Sequence, residues 1–147
     1  MVISRLFFPF VFLITICYCN CKHGNIYGTF DVIESISFPV SALSEKEINT
    51  YIGKQVIIEN RYAVFNEDTF CISHIVKDTL ITKTALSQVK SEIEKKTKIQ
   101  LPPVLIGMTL YCNEEFWESF PNYFLILNTN TILSIMDGVV FILKRKE

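Results

Sequence analysis

The stretch YFLILNTNTILSIMDGVVFILK, Tyr123 to Lys144, decides the fold. Its three apolar runs, Tyr123–Leu127, Thr131–Met136 and Val139–Lys144, are too short for helices. They are rich in the aromatic and branched residues that suit a pleated sheet. Between the second and third stands Asp137-Gly138. An Asp-Gly pair flanked by apolar runs is a strong hairpin signal, because both central positions of that tight turn need a positive φ. Asn128-Thr129-Asn130 supplies the other turn. The segment is therefore read as a three-strand antiparallel meander.

Moving upstream, Pro102-Pro103 resets the chain before the strand-like run Val104–Cys112. Thr84–Lys98 carries helical rhythm instead: Leu86, Val89 and Ile93 recur at spacings of three and four, and Glu92, Glu94, Lys95 and Lys96 fill the polar side. Such a helix belongs across the outside of a core. Lys54–Glu59, Tyr62–Phe65 and Phe70–Val76 read as three short strands, with a turn at Asn66-Glu67-Asp68. In Ser44-Glu45-Lys46-Glu47 the Ser and the Glu three residues later form a capping box, which predicts a helix from Glu45 to about Ile52, stopped by Gly53. From Ile26 to Phe38 the residues alternate. Ile26, Gly28, Phe30, Val32, Ile36 and Phe38 fall on one face of a long first strand that bends near Glu34. Pro39 ends it.

Seven or eight short strands and two helices define a mainly β, α+β chain: an antiparallel curled sheet or small barrel with two helices. Closure would hide edges that an apolar sheet otherwise exposes.

The beginning of the chain has another character. Met1–Arg5 carries one positive charge and Leu6–Cys19 is apolar, broken only by Pro9 and Thr15. That run is shorter than the roughly 20 residues a spanning helix needs. A basic start, a short apolar run and small residues after it match a cleaved signal peptide over residues 1–19. A single β-rich domain follows over 20–147. The chain of 147 residues has a formal net charge of −1, and losing Arg5 with the leader takes it to −2. That balance gives no electrostatic reason to expect a nucleic-acid partner, which normally requires a basic face. The expected location is the periplasm or the extracellular space. Membrane contact is expected only if a lipid is attached near Cys17, Cys19 or Cys21, none of which follows the small residue that lipidation favours.

In an exported domain, well-separated cysteines are expected to pair. Cys71 and Cys112 are thus predicted to form a disulfide closing a loop of about 40 residues, worth roughly 3 to 4 kcal/mol by the chain-entropy argument. Zinc would need clustered ligands, and neither His23 nor His74 forms a Cys/His group with these two residues. No metal and no cofactor is predicted.

Motifs for covalent chemistry are equally sparse. Ser73 adjoins His74, but neighbours on a strand point to opposite faces, and there is no Gly-x-Ser-x-Gly elbow. The segment that draws notice is Asn113–Pro121. It sets Phe116, Trp117 and Phe120 among Glu114, Glu115 and Glu118, and Trp is enriched at binding hot spots. Two readings stay open: an acidic aromatic loop that inserts into a partner, or a plug that caps one end of the barrel.

Gly28-Thr29-Phe30 in the first strand is similar to the Gly-x-Trp of the calycin group, the small up-and-down barrels that include the lipocalins. A basic residue leaving the last strand, Lys144 or Arg145, would stand where that family's Arg covers the aromatic ring. The resemblance implies a barrel able to hold a small apolar ligand, and implies it from the two ends of the mature chain alone. Beside it stands the reading from composition and motifs: a non-enzymatic exported binding protein, of inhibitor or immunity type, acting on a secreted or cell-envelope protein.

Overall fold

The computed structural model describes residues 25–113, 115 and 117–147. The expected signal peptide, Cys17, Cys19, Cys21 and His23, together with Glu114 and Phe116, lie outside them.

Nine strands form one antiparallel sheet: β1 Gly28–Ser37, β2 Gln55–Ile58, β3 Tyr62–Phe65, β4 Asp68–Cys71, β5 His74–Ile81, β6 Val104–Tyr111, β7 Tyr123–Ile126, β8 Thr131–Met136 and β9 Val139–Arg145. Three short helices accompany them: α1 Glu45–Tyr51, α2 Thr82–Ala85 and α3 Lys90–Thr97. The strand order is β4-β3-β2-β1-β9-β8-β7-β6-β5. Only the β1–β9 pairing departs from sequence neighbours. It brings the two ends of the described chain together in mid-sheet and curls the sheet into a half-barrel. The edges, β4 and β5, are joined through Ile72 and Ser73, so they meet at one corner. No helix among the described residues is long and apolar enough to cross a membrane.

The meander forms as the sequence predicts. Asp137 and Gly138 take φ of 48° and 80°, and Asn128 accepts the N–H groups of Asn130 and Thr131 on its side-chain oxygen. The capping box at α1 is complete, with Glu47 accepting from the Ser44 N–H at 2.8 Å and Ser44 accepting from the Glu47 N–H. The Ser44 hydroxyl, donating to Glu47 Oε2 at 2.6 Å, and the Ser44 N–H hold the Glu47 carboxyl below its usual pKa range.

Three expectations are corrected. The single strand drawn over Phe70–Val76 is two. The turn is confined to Asn66-Glu67, both at positive φ, and β4 pairs with β3 while β5 pairs with β6 over eight residues. The helix expected over Thr84–Lys98 is broken into α2 and α3, with Lys98 ending the second in a left-handed conformation. Third, the first strand does not keep one face. Val32 pairs with Leu143 and Glu34 with Ile142, so Ile33 is an extra residue, a β-bulge near the predicted bend. One extra residue inverts a period-two pattern. Phe30 and Val32 therefore enter the concave core, whereas Ile36 and Phe38 belong to the convex one.

Both faces are buried in consequence. The concave core gathers Phe30, Phe65, Phe120, Phe124 and Phe141 with the aliphatic residues of β2, β3, β6 and β9. The convex core lies under α2 and α3, where Leu86, Val89 and Ile93 pack on Leu105, Leu125, Leu133, Val140 and Ile142. Residues of β8 and β9 serve the two cores alternately, which is why these strands read as continuous apolar runs.

Candidate functional site

The first strand and the last residue of β9 form a clamp. Gly28 has a φ of 137°, and a side chain there would strike the Arg145 guanidinium. With that space free, Arg145 lies 4.6 Å from the Phe30 ring centre. It donates to the carbonyls of Tyr27 and Asn25 at 2.6 Å and of Thr129 at 2.7 Å. A guanidinium over an aromatic face gains from the ring quadrupole while its edge donors stay free for carbonyls. The clamp ties the end of β9 to the chain just before β1 and to the β7–β8 turn.

Across the concave core, α1, the β3–β4 turn and the 113–121 loop frame a groove. Asp68, Thr69, Phe70, Glu115, Trp117, Glu118 and Ser119 line a cavity of about 680 Å³. A second of about 260 Å³, lined by Thr50, Tyr51, Phe65 and Asn66, adjoins it and shares Asp68 and Ser119.

Among the described residues of the loop, the aromatic side chains Trp117 and Phe120 are turned inward. Trp117 is 6% exposed and Phe120 fully buried. Trp117 stacks on Phe70 with ring centres 5.6 Å apart, and Phe120 packs between Phe65 and Phe141. The indole N–H donates to Asp68 Oδ2 at 2.9 Å. Ser119 also hydrogen-bonds Asp68, and this bond, with that of Trp117, holds the Asp68 carboxyl below the ordinary carboxylate range. A carboxyl so held is ionised at neutral pH and is a poor proton donor. Outward, Glu115 and Glu118 stand exposed on the groove wall. The groove is thus acidic on its rim and apolar at its floor.

Sequence reasoning missed Asp68, which it placed in a turn. Asp68 and Trp117 are 49 residues apart. No local signal joins them; the carboxylate meets the indole only because β4 is the strand that the loop crosses.

The predicted bridge is present: Cys71 and Cys112 form a disulfide with Cα atoms 5.2 Å apart. It ties the edge strand β4 to the end of β6 and anchors the loop where it departs. Beside it lies the Ser73–His74 pair. Contrary to expectation the two side chains meet, with Ser73 Oγ 3.0 Å from His74 Nδ1, because Ser73 falls between β4 and β5, where strand alternation does not apply. Ser73 also donates to the Tyr111 carbonyl at 2.9 Å and accepts from the Asn113 N–H at 3.1 Å. A carbonyl can only accept, so it takes the single hydroxyl proton and His74 is left as donor to Ser73. This is a brace around the disulfide, unlike a nucleophile presented to a base. Among the described residues, no group of three or more His, Cys, Asp or Glu side chains is placed to hold a metal ion.

Comparison of the chain with protein families, with curated proteins and with solved structures finds no match.

Proposed function

We propose that this chain is an exported, non-enzymatic binding protein that engages a protein partner through the acidic groove, in the manner of an inhibitor or immunity protein. The observation that carries this reading is the anchoring of the 113–121 loop. Trp117 and Phe120 are sunk in the concave core and the disulfide fixes Cys112, while Glu115 and Glu118 are held outward beside Asp68. A loop ordered before association loses little entropy on binding. Carboxylates around a shallow depression select a basic contact surface. The partner expected is therefore a secreted or cell-envelope protein with an exposed Lys or Arg cluster.

The carrier reading drawn from the lipocalin-like resemblance draws support from the Arg145–Phe30 clamp. Against it, the concave space is occupied by the protein's own rings, Phe30, Phe120, Phe124 and Phe141 among them. The test is capture of secreted proteins by the purified domain, compared with a Glu115→Lys/Glu118→Lys variant. Recovery of one basic protein by the wild type, at least about tenfold depleted with the variant, supports the groove. Equal recovery removes it. An apolar ligand extracted in equimolar amount from the pure domain favours the carrier instead.

A further inference from the structure

Among the described residues, the half-barrel leaves one long edge uncovered. β5 pairs with β6 without interruption from His74↔Tyr111 to Ile81↔Val104, and no described strand pairs with its other side. The ladder continues with the Thr82 N–H donating to the Pro103 carbonyl, which fixes the alternation. Even-numbered residues of β5 turn their backbone toward β6, and Ile75, Lys77, Thr79 and Ile81 turn theirs outward. The strand has no bulge and no proline. Val76 and Ile81 on β5, with Val104 of β6 opposite Ile81, are 45%, 60% and 49% exposed. An edge of this length is a pairing template unless something blocks it.

What stands at its midpoint is Lys77-Asp78. Antiparallel pairing of two copies about a two-fold axis must bring together residues of the same face. The two registers that use all but one residue of β5 are centred on Lys77 or on Asp78. One sets Lys77 against its own copy and the other sets Asp78 against its own copy. Like charges directly opposite are destabilising in a sheet. A different strand, with an acid opposite Lys77 and a base opposite Asp78, turns both contacts attractive. At rest the Asp78 carboxylate lies over Gly107, accepting from the Tyr123 hydroxyl at 3.3 Å, and a base on the added strand would compete with that hydroxyl for it.

We propose that β5 is a strand-addition site for an extended segment of a protein partner, antiparallel to β5, carrying an adjacent basic–acidic pair flanked by apolar residues. This rests on the reading of the chain as a protein-binding protein and adds a second contact to it. The outward N–H and C=O groups supply affinity, and the central charges set register and exclude self-pairing.

The test uses two synthetic peptides. Val-Thr-Val-Lys-Glu-Val-Thr-Thr places Glu opposite Lys77 and Lys opposite Asp78; the second has Lys in place of that Glu. The wild-type domain should bind the first several-fold to about tenfold more tightly, and Lys77→Glu should reverse the order. Amide exchange should slow at Ile75, Lys77, Thr79 and Ile81 on binding, and Thr79→Pro, which removes an outward donor, should abolish that protection. Equal affinity for the two peptides, protection elsewhere, no binding of either, or dimerisation of the domain through β5 would each overturn the proposal. Peptide failure with capture through Glu115 and Glu118 intact sinks the edge site alone. Peptide addition without any such capture sinks the groove and leaves the edge.

Discussion

Trp117 is where the chemistry of single residues is most concentrated. Its ring stacks on Phe70, meets Phe120 edge-on and donates to Asp68. Trp117→Ala should cost about 3–5 kcal/mol in urea unfolding, the range for a large buried aromatic, and should release the loop so that amide exchange near Glu118 accelerates. Asp68 ties this packing to pH. Its folded-state pKa lies below the ordinary 3.8 because Ser119 and Trp117 donate to the ionised form. Its contribution to stability is therefore complete above 3.8 and fades as pH falls through the lower folded-state value. The stability gap between wild type and Asp68→Asn should be widest at neutral pH and narrow below 3.8; a gap that stays constant would show that the charge is irrelevant. At the other end of the half-barrel, Arg145→Lys keeps the charge and loses the fork that reaches three carbonyls. A loss of about 1–3 kcal/mol is expected by chemical denaturation.

Among the elements, the Cys71–Cys112 bridge and the β1 bulge carry the geometry. The bridge spans 41 residues, and its removal should lower stability by roughly 3 to 4 kcal/mol. Cys71→Ser/Cys112→Ser should show this as a shifted unfolding midpoint, with Trp117 fluorescence reporting whether the loop stays docked. The bulge at Ile33 decides which core each half of β1 serves. Deleting Ile33 and Glu34 together should throw Ile36 and Phe38 onto the wrong face and abolish cooperative unfolding, while Ile33→Ala, at a residue 42% exposed, should change stability little. Calorimetry distinguishes the two results. The helical rhythm of the outer segment was legible from Leu86, Val89 and Ile93. Its division into α2 and α3 between Leu86 and Val89 was not, because helical periodicity survives a short irregular turn.

On the scale of the whole molecule, the sheet is filled on both faces and, among the described residues, its longer edge strand β5 has no strand on its outer side. Filling follows from the number of large rings that converge on Phe120, which touches Tyr51, Phe65, Phe124 and Phe141. Such an interior favours recognition at the surface, and the two surfaces proposed differ in kind. The groove offers carboxylates on a pinned loop; the β5 edge offers backbone groups and a central charge pair. Ionic strength should separate them. Binding through Glu115 and Glu118 should weaken steeply with salt, since exposed charges are screened beyond a distance of about 8 Å at physiological ionic strength. Strand addition at β5 should keep most of its affinity.

The sequence by itself determined what depends on neighbours in the chain: the Asp137-Gly138 hairpin, the Ser44–Glu47 cap, the helical rhythm of the outer segment and the antiparallel, mainly β class. Each rests on a local rule of turn geometry, capping or periodicity, and each can be read within a window of a few residues. The Cys71–Cys112 pairing also followed, because two cysteines in the body of the domain leave one partner apiece. Tertiary structure alone decided the join of β1 to β9, the change of face at Ile33, the split between β4 and β5, and the meeting of Asp68 with Trp117. These depend on which distant segments the curled sheet brings into contact, and no short-range pattern encodes that choice. Burial of Trp117 and Phe120 belongs with them: an aromatic residue looks the same in sequence whether it fills its own core or waits for another protein's surface.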